Sequence, residues 1–254
     1  MTASRQPLDT PSPMAPPSLL GRSQARRRAP QVVGARAAGH YPGRAMLNKY
    51  ARAFFTTIFT PVARLLLRLG ISPDVVTVVG TLGVCFGALF FFPRGELLVG
   101  VLVITAFVFS DTLDGVMARM QGRKGVWGAY LDSTLDRFGD AAIFSGLAIW
   151  YFTGGEHQLT GYLALACLVL GSLVSYAKAR AEGLGMSADV GIAERADRLV
   201  TALVTAGLVG LGLPERVLTV VLALLAVASA VTVLQRMLVV RSQAMAAAAL
   251  DARG

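Results

Sequence analysis

Apolar runs long enough to cross a bilayer recur along the chain and limit what it can fold into. They fall at approximately 74–92, 98–119, 127–152, 160–181, 196–212 and 215–239. A helix needs about 17–25 such residues to span the hydrocarbon. Inside the hydrocarbon every backbone N–H and C=O must be satisfied within the segment, which selects helices. The expected fold is therefore all-α: a polytopic membrane protein of six transmembrane helices. Composition agrees, since 54% of residues are hydrophobic and only 15% charged, with a mean hydropathy of +0.59. A soluble domain of this length needs more charge on its surface.

The net charge is +9, and its distribution gives an orientation. Arg5, Arg22, Arg26, Arg27, Arg28, Arg36, Arg44, Lys49 and Arg52 precede the first span, against the single acid Asp9. Arg119, Arg123, Lys124, Lys178, Arg180, Arg195, Arg198, Arg236 and Arg241 cluster at one membrane level, while the connections at 93–97, 153–159 and 213–214 carry chiefly Arg94. The positive-inside rule then places both termini in the cytoplasm of a multi-pass protein of the cell membrane. This charge serves the membrane; no nucleic-acid partner is expected.

Residues 1–45 are rich in Pro, Ser, Arg and Ala and read as a disordered basic tail without a secretory signal. The ordered pattern begins at Met46, an alternative start. Over 46–72, Phe54, Phe55, Ile58 and Phe59 alternate with Lys49, Arg52, Arg64 and Arg68, which suits an amphipathic segment lying on the cytoplasmic membrane face among lipid headgroups. A six-helix domain at 73–241 and a C-terminal tail at 242–254 complete the organisation. Cys85 and Cys167 fall inside apolar spans as small packing residues.

Four aspartates interrupt the second and third spans. Asp111 and Asp114 are spaced i,i+3 and Asp132 and Asp136 i,i+4, so each pair projects from one helix face. A short turn at 120–126 should make the two helices antiparallel neighbours and bring the pairs together. Ionised carboxylates near hydrocarbon are costly and rare unless compensated. Four of them converging would repel strongly without cations, and all-oxygen ligation suits Mg²⁺ or Mn²⁺. Ion pairs with Arg119 and Arg137 are the alternative, but two arginines cannot neutralise four acids. Asp111, Asp114, Gly115 and Ala118 form one stripe, and Gly128, Asp132, Asp136 and Asp140 repeat every four residues. Glycines on such faces either admit a neighbouring helix or let a flat nucleotide approach the backbone.

The full string is Asp111-x-x-Asp114-Gly115-x-x-Ala118-Arg119, eight residues, then Gly128-x-x-x-Asp132-x-x-x-Asp136. It matches without departure the signature of the CDP-alcohol phosphatidyltransferase family, which the chain resembles over roughly 50–240, including Pro73 and Thr77. The resemblance implies two divalent ions, Mg²⁺ or possible Mn²⁺, held by Asp111, Asp114, Asp132 and Asp136. It implies a CDP-diacylglycerol site at Pro73, Thr77, Gly115, Ala118, Arg119 and Gly128, facing the cytoplasm, and Asp136 as general base. It also implies a homodimer.

A second cluster follows on the fourth and fifth spans, in Ser175-Tyr176-Ala177-Lys178-Ala179-Arg180-Ala181-Glu182 and Glu194-Arg195-Ala196-Asp197-Arg198. The local pattern resembles the actinobacterial members that transfer the phosphatidyl group to inositol phosphate, giving phosphatidylinositol phosphate and CMP. There Ser175, Lys178, Arg180, Arg195 and Arg198 would read the acceptor's phosphate. Glycerol 3-phosphate would need similar cations and is the competing acceptor. A divalent-cation transporter would also place acids in membrane helices, but would not need Gly-x-x-Ala-Arg beside them.

Overall fold

The computed structural model describes residues 59–122 and 125–252, with backbone only at Ser110, Asp111 and Thr112. The basic tail and most of the amphipathic segment lie outside the described residues, as do Arg123 and Lys124. Every regular element among the described residues is helical. Residues 59–68 form α1 and the main helices are α2 (Pro73–Phe86), α3 (Leu97–Met120), α4 (Val126–Thr153), α5 (Gln158–Gly183), α6 (Arg195–Gly210) and α7 (Glu215–Asp251). All six expected apolar segments are therefore helices, within a few residues except at the end of α7, which runs through the alanine-rich Ala244–Leu250 stretch to Asp251.

Four of these helices are long and apolar enough to cross a membrane: α2 with its extension to Arg94, α3, α5 and α7. The expected six is reduced to four by that measure for physical reasons. Helix α4 carries Asp132, Asp136, Arg137 and Asp140, and α6 has only 16 residues, opening on Arg195, Asp197 and Arg198.

Local signals set the start of α2. Ser72 caps it by accepting from the Val75 N–H at 3.3 Å, Pro73 occupies the first helical position and Asp74 the first turn. The helix continues through a π turn at Gly87–Phe91 and a 3₁₀ turn at Phe92–Arg94, and Gly95 (φ +77°) ends it. The π turn is where α4 comes closest. A Cβ on Gly146 would stand 2.5 Å from the Ala88 carbonyl oxygen, so only glycine permits that approach.

The six helices close into a ring in which each packs on two neighbours, in the order α2, α4, α5, α7, α6, α3 and back to α2. The interior is filled by Val84, Phe92, Ile104, Phe144, Leu147, Tyr151, Leu218 and Leu222, among others. The perimeter is apolar as well: Leu82, Phe86, Leu102, Val169, Leu224 and Leu234 are exposed, as expected of side chains in contact with lipid. Cys167 is buried and Cys85 half-buried, and both are free, as their packing role required. Helix α1 buries Ala63 against Val76, Val116 and Met117, with Leu66 and Leu67 packed beside it.

One expectation fails. Helices α3 and α4, joined by a turn in which Gly122 has φ +65°, do not pack on each other to any extent among the described residues; α2 packs against both. Faces carrying like-charged aspartates and bare glycines offer neither attraction nor apolar area, so the two helices diverge from their common turn.

Candidate active site

That divergence leaves a groove with α2 as its floor. Pro73, Asp74, Thr77, Asp114, Gly115, Ala118, Gly128, Ala129 and Asp132 line a cavity of about 280 Å³. A contiguous one of about 570 Å³ adds Gly122, Gly125 and Trp127 towards the turn. Of the donor-site residues expected from the sequence, Pro73, Thr77, Gly115, Ala118 and Gly128 thus meet in one place. Arg119 is exposed beside them and lines neither cavity.

Two observations separate a ligand groove from a packing seam. A Cβ built on Gly115 or Gly128 meets no atom within 4 Å, so no neighbouring helix uses the space these glycines leave. Asp114 and Asp132 also have no ion-pair partner among the described residues. Asp114 instead accepts a hydrogen bond from the Thr77 hydroxyl, whose oxygen also lies 3.1 Å from the Pro73 carbonyl oxygen, the alternative acceptor for its single proton. Asp114 lies within electrostatic reach of both Asp132 and Asp136. Asp114 and Asp132 thus present to the groove two carboxylates with no cation on either, oxygen ligands of the kind that suits a hard divalent ion. Among the described side chains no three His, Cys, Asp or Glu residues stand close enough to share one ion. The side chain of Asp111, one turn before Asp114, lies outside those described.

Asp136 differs from its two partners. Its Oδ1 lies 2.9 Å from Arg195 Nη1 and its Oδ2 3.9 Å from Arg137 Nη2. The alternative of arginine pairing therefore applies to this one aspartate, through Arg137 as foreseen and through Arg195. One turn on, Asp140 is only 5% exposed and receives Arg195 Nε at 3.0 Å, Arg137 Nη1 at 3.5 Å and Arg198 Nη2 at 3.8 Å. Ser175 accepts a hydrogen bond from Arg137.

The basic residues expected at the acceptor site separate into three groups. Arg195 and Arg198 join Asp136 and Asp140, but Arg198 is 1% exposed and none of its three guanidinium nitrogens has a hydrogen-bond partner. It fits there because residue 171 is glycine: a Cβ at that position would stand 2.8 Å from Nη2. Lys178 turns outward to Asp189 at 2.6 Å, and hydrogen bonds from Lys178 and Ser187 hold the Asp189 carboxyl below the usual carboxylate range. Arg180 sits on another face of α5, lining a groove against α7 with Tyr176 and Met237; its expected place beside the others is not observed. Arg236, which the sequence placed only at the right membrane level, is 7% exposed and donates to the Val190 carbonyl at 3.0 Å and to that of Val174. It ties the α5–α6 connection to α7.

This arrangement has close counterparts. The model of the CDP-alcohol phosphatidyltransferase family matches residues 70–192. The phosphatidylinositol phosphate synthase of Streptomyces avermitilis is 51% identical over 88% of this chain and 94% of its own length. That of Cutibacterium acnes is 46% identical over 76% and 97%. The crystal structure of Mycobacterium tuberculosis phosphatidylinositol phosphate synthase with CDP-DAG bound superposes with a TM-score of 0.70 at 44% identity, covering 72% of this chain and 94% of that one. The same enzyme in complex with manganese and citrate gives 0.69 at 43% identity, over 72% and 88%. The chain belongs to the CDP-alcohol phosphatidyltransferase family.

Proposed function

We propose that the protein transfers the phosphatidyl group of CDP-diacylglycerol to inositol phosphate, producing phosphatidylinositol phosphate and CMP. The observation that carries this reading is the α3–α4 groove, where Asp114 and Asp132 stand without ion-pair partners among the described residues beside the open walls left by Gly115 and Gly128. The names of the relatives and the arginines next to Asp136 support inositol phosphate as the acceptor.

Asp111, Asp114, Asp132 and Asp136 would hold two Mg²⁺ ions, with Mn²⁺ as a substitute. Bound there, the ions offset the negative charge of the donor diphosphate and of the departing CMP. The chain's own groups do the remainder. Pro73, Gly115, Ala118 and Gly128 seat the cytidine diphosphate, with Arg119 at the rim. Thr77 fixes the Asp114 carboxylate through its hydroxyl. Asp136 takes the proton of the acceptor hydroxyl. That oxygen bonds to the lipid-side phosphorus while the phosphorus–oxygen bond to CMP breaks. Ser175, Lys178, Arg195 and Arg198 recognise the acceptor's phosphate, arginine through paired hydrogen bonds and lysine as a point charge; Arg180 takes no part.

In the membrane, α4 and α6 cross with the other four helices. The burial of Asp140 and Arg198 within the ring supports this, since charges inside a bundle need not face hydrocarbon. The basic residues support a groove open to the cytoplasmic face of the cell membrane, and the family resemblance supports a homodimer. Release of CMP from CDP-diacylglycerol that depends on added inositol phosphate, and is lost in folded Asp132→Asn, tests the proposal. Acceptor-independent release would refute it.

A further inference from the structure

Asp140 belongs neither to the metal-binding signature nor to the acceptor-binding residues, yet among the described residues no other carboxylate has as many arginines around it. Arg137, Arg195 and Arg198 all direct a guanidinium nitrogen at its carboxylate, from 3.0 to 3.8 Å. The three arginines come from two helices, α4 and α6, and among the described residues Asp140 is the one carboxylate within 4 Å of all three. Within the ion-paired cluster itself these three cations (+3) stand against Asp136 and Asp140 (−2), a net +1, so the arginines are not fully spent on the two acids. Arg195 uses two edges at once, Nε on Asp140 and Nη1 on Asp136 at 2.9 Å. Its plane is thereby fixed by one carboxylate that lies outside the reacting centre and one within it.

The geometry points to Asp140 as a positioning residue, whose carboxylate arranges Arg195, Arg198 and Arg137 into a preformed receptor for the acceptor's phosphate beside Asp136. This rests on the proposed use of a phosphorylated acceptor. Arginine recognition of phosphate depends on the planar fork being aimed before the ligand arrives. A buried guanidinium without hydrogen bonds, as in Arg198, is otherwise a cost to the fold.

Charge balance alone and positioning predict opposite signs. If Asp140 merely offset positive charge, Asp140→Asn would make the cluster more attractive to an anion and lower the KM for inositol phosphate. If it positions the arginines, the KM rises. Asp140→Glu keeps the charge and shifts the carboxylate by one methylene, so it isolates position from charge and serves where the asparagine variant does not fold. Steady-state kinetics of both variants in the full-length enzyme decide the matter, varying inositol phosphate and CDP-diacylglycerol separately. In each folded variant the KM for inositol phosphate should rise roughly tenfold or more, the scale of a lost charge-assisted contact, while the KM for CDP-diacylglycerol stays within about twofold of wild type. A lower or unchanged acceptor KM in folded Asp140→Asn overturns the inference, as does a wild-type acceptor KM in Asp140→Glu. If the wild-type enzyme uses glycerol phosphate and not inositol phosphate, the acceptor assignment fails, and the same comparison run with glycerol phosphate decides the role of Asp140.

Discussion

Substituting Gly115 by alanine should separate donor binding from folding, because the structure gives the new methyl group no protein neighbour to strike. Gly115 lies inside α3, and a Cβ there meets nothing within 4 Å. Replacing glycine by alanine in a helix interior is worth about 0.5–1 kcal/mol in favour of the folded state, so the variant should be at least as stable as wild type. The methyl group projects instead into the groove where the cytidine diphosphate is proposed to lie. Forcing a methyl-sized group into a packed contact costs about 1–3 kcal/mol, which corresponds to roughly 5- to 150-fold in donor KM. Gly146→Ala is the control with the opposite signature. Its Cβ would stand 2.5 Å from the Ala88 carbonyl oxygen, so α4 must move off α2 and stability must fall. Thermal unfolding in detergent, read beside KM for CDP-diacylglycerol at saturating acceptor, measures both quantities. A Gly115→Ala enzyme with wild-type donor KM would show that the nucleotide does not lie on this wall. A loss of stability matching that of Gly146→Ala would show that the space is not open.

Three further outcomes follow from the same geometry. Asp114→Asn and Asp132→Asn should each nearly abolish transfer in folded protein, whereas Asp136→Asn should lower turnover by roughly 10²- to 10⁴-fold with a smaller loss of donor affinity; equal losses of affinity in all three would make Asp136 chiefly a metal ligand. Lys178→Ala should raise KM for inositol phosphate roughly tenfold or more while leaving KM for CDP-diacylglycerol nearly unchanged, and Arg180→Ala, on the α5–α7 face, should change neither in steady-state assays. For orientation, single cysteines at the exposed positions Gln121 and Glu156, in a background lacking Cys85 and Cys167, should be labelled in whole cells by an impermeant thiol reagent only at 156, and labelling at 121 would invert the topology.

How much of this was legible in the sequence depends on the range of the interaction. Helices α2 to α7 follow from apolar length, caps and short connections, which are local properties. The groove that gathers Pro73, Thr77, Gly115, Ala118 and Gly128 was legible for a similar reason, since fixed spacing on a helix fixes which residues share a face. What spacing could not give was the arrangement of faces in space. The short turn after Met120 suggested that α3 and α4 pack together, but adjacency in sequence does not supply the attraction that packing needs, and α2 sits against both. The partners of the arginines were least legible. Arg195 lies 55 residues from Asp140 in sequence, and Lys178 chose Asp189 over the metal-site acids because the α5–α6 connection, pinned to α7 by Thr232, Arg236 and Gln243, brings that carboxylate within 2.6 Å. Asp140 itself was visible as the fourth member of the Gly128, Asp132, Asp136 repeat, and only the fold shows what surrounds it.

The reaction is identified by the acceptor it consumes and the lipid it makes. Purified enzyme with Mg²⁺ and CDP-diacylglycerol is given inositol phosphate, free inositol, glycerol phosphate or serine in turn, and CMP and the lipid product are both identified. CMP release is expected with inositol phosphate, together with formation of phosphatidylinositol phosphate, and little with the other three. Robust product from glycerol phosphate and none from inositol phosphate would contradict the acceptor assignment, and no CMP release with any acceptor would contradict the reaction itself.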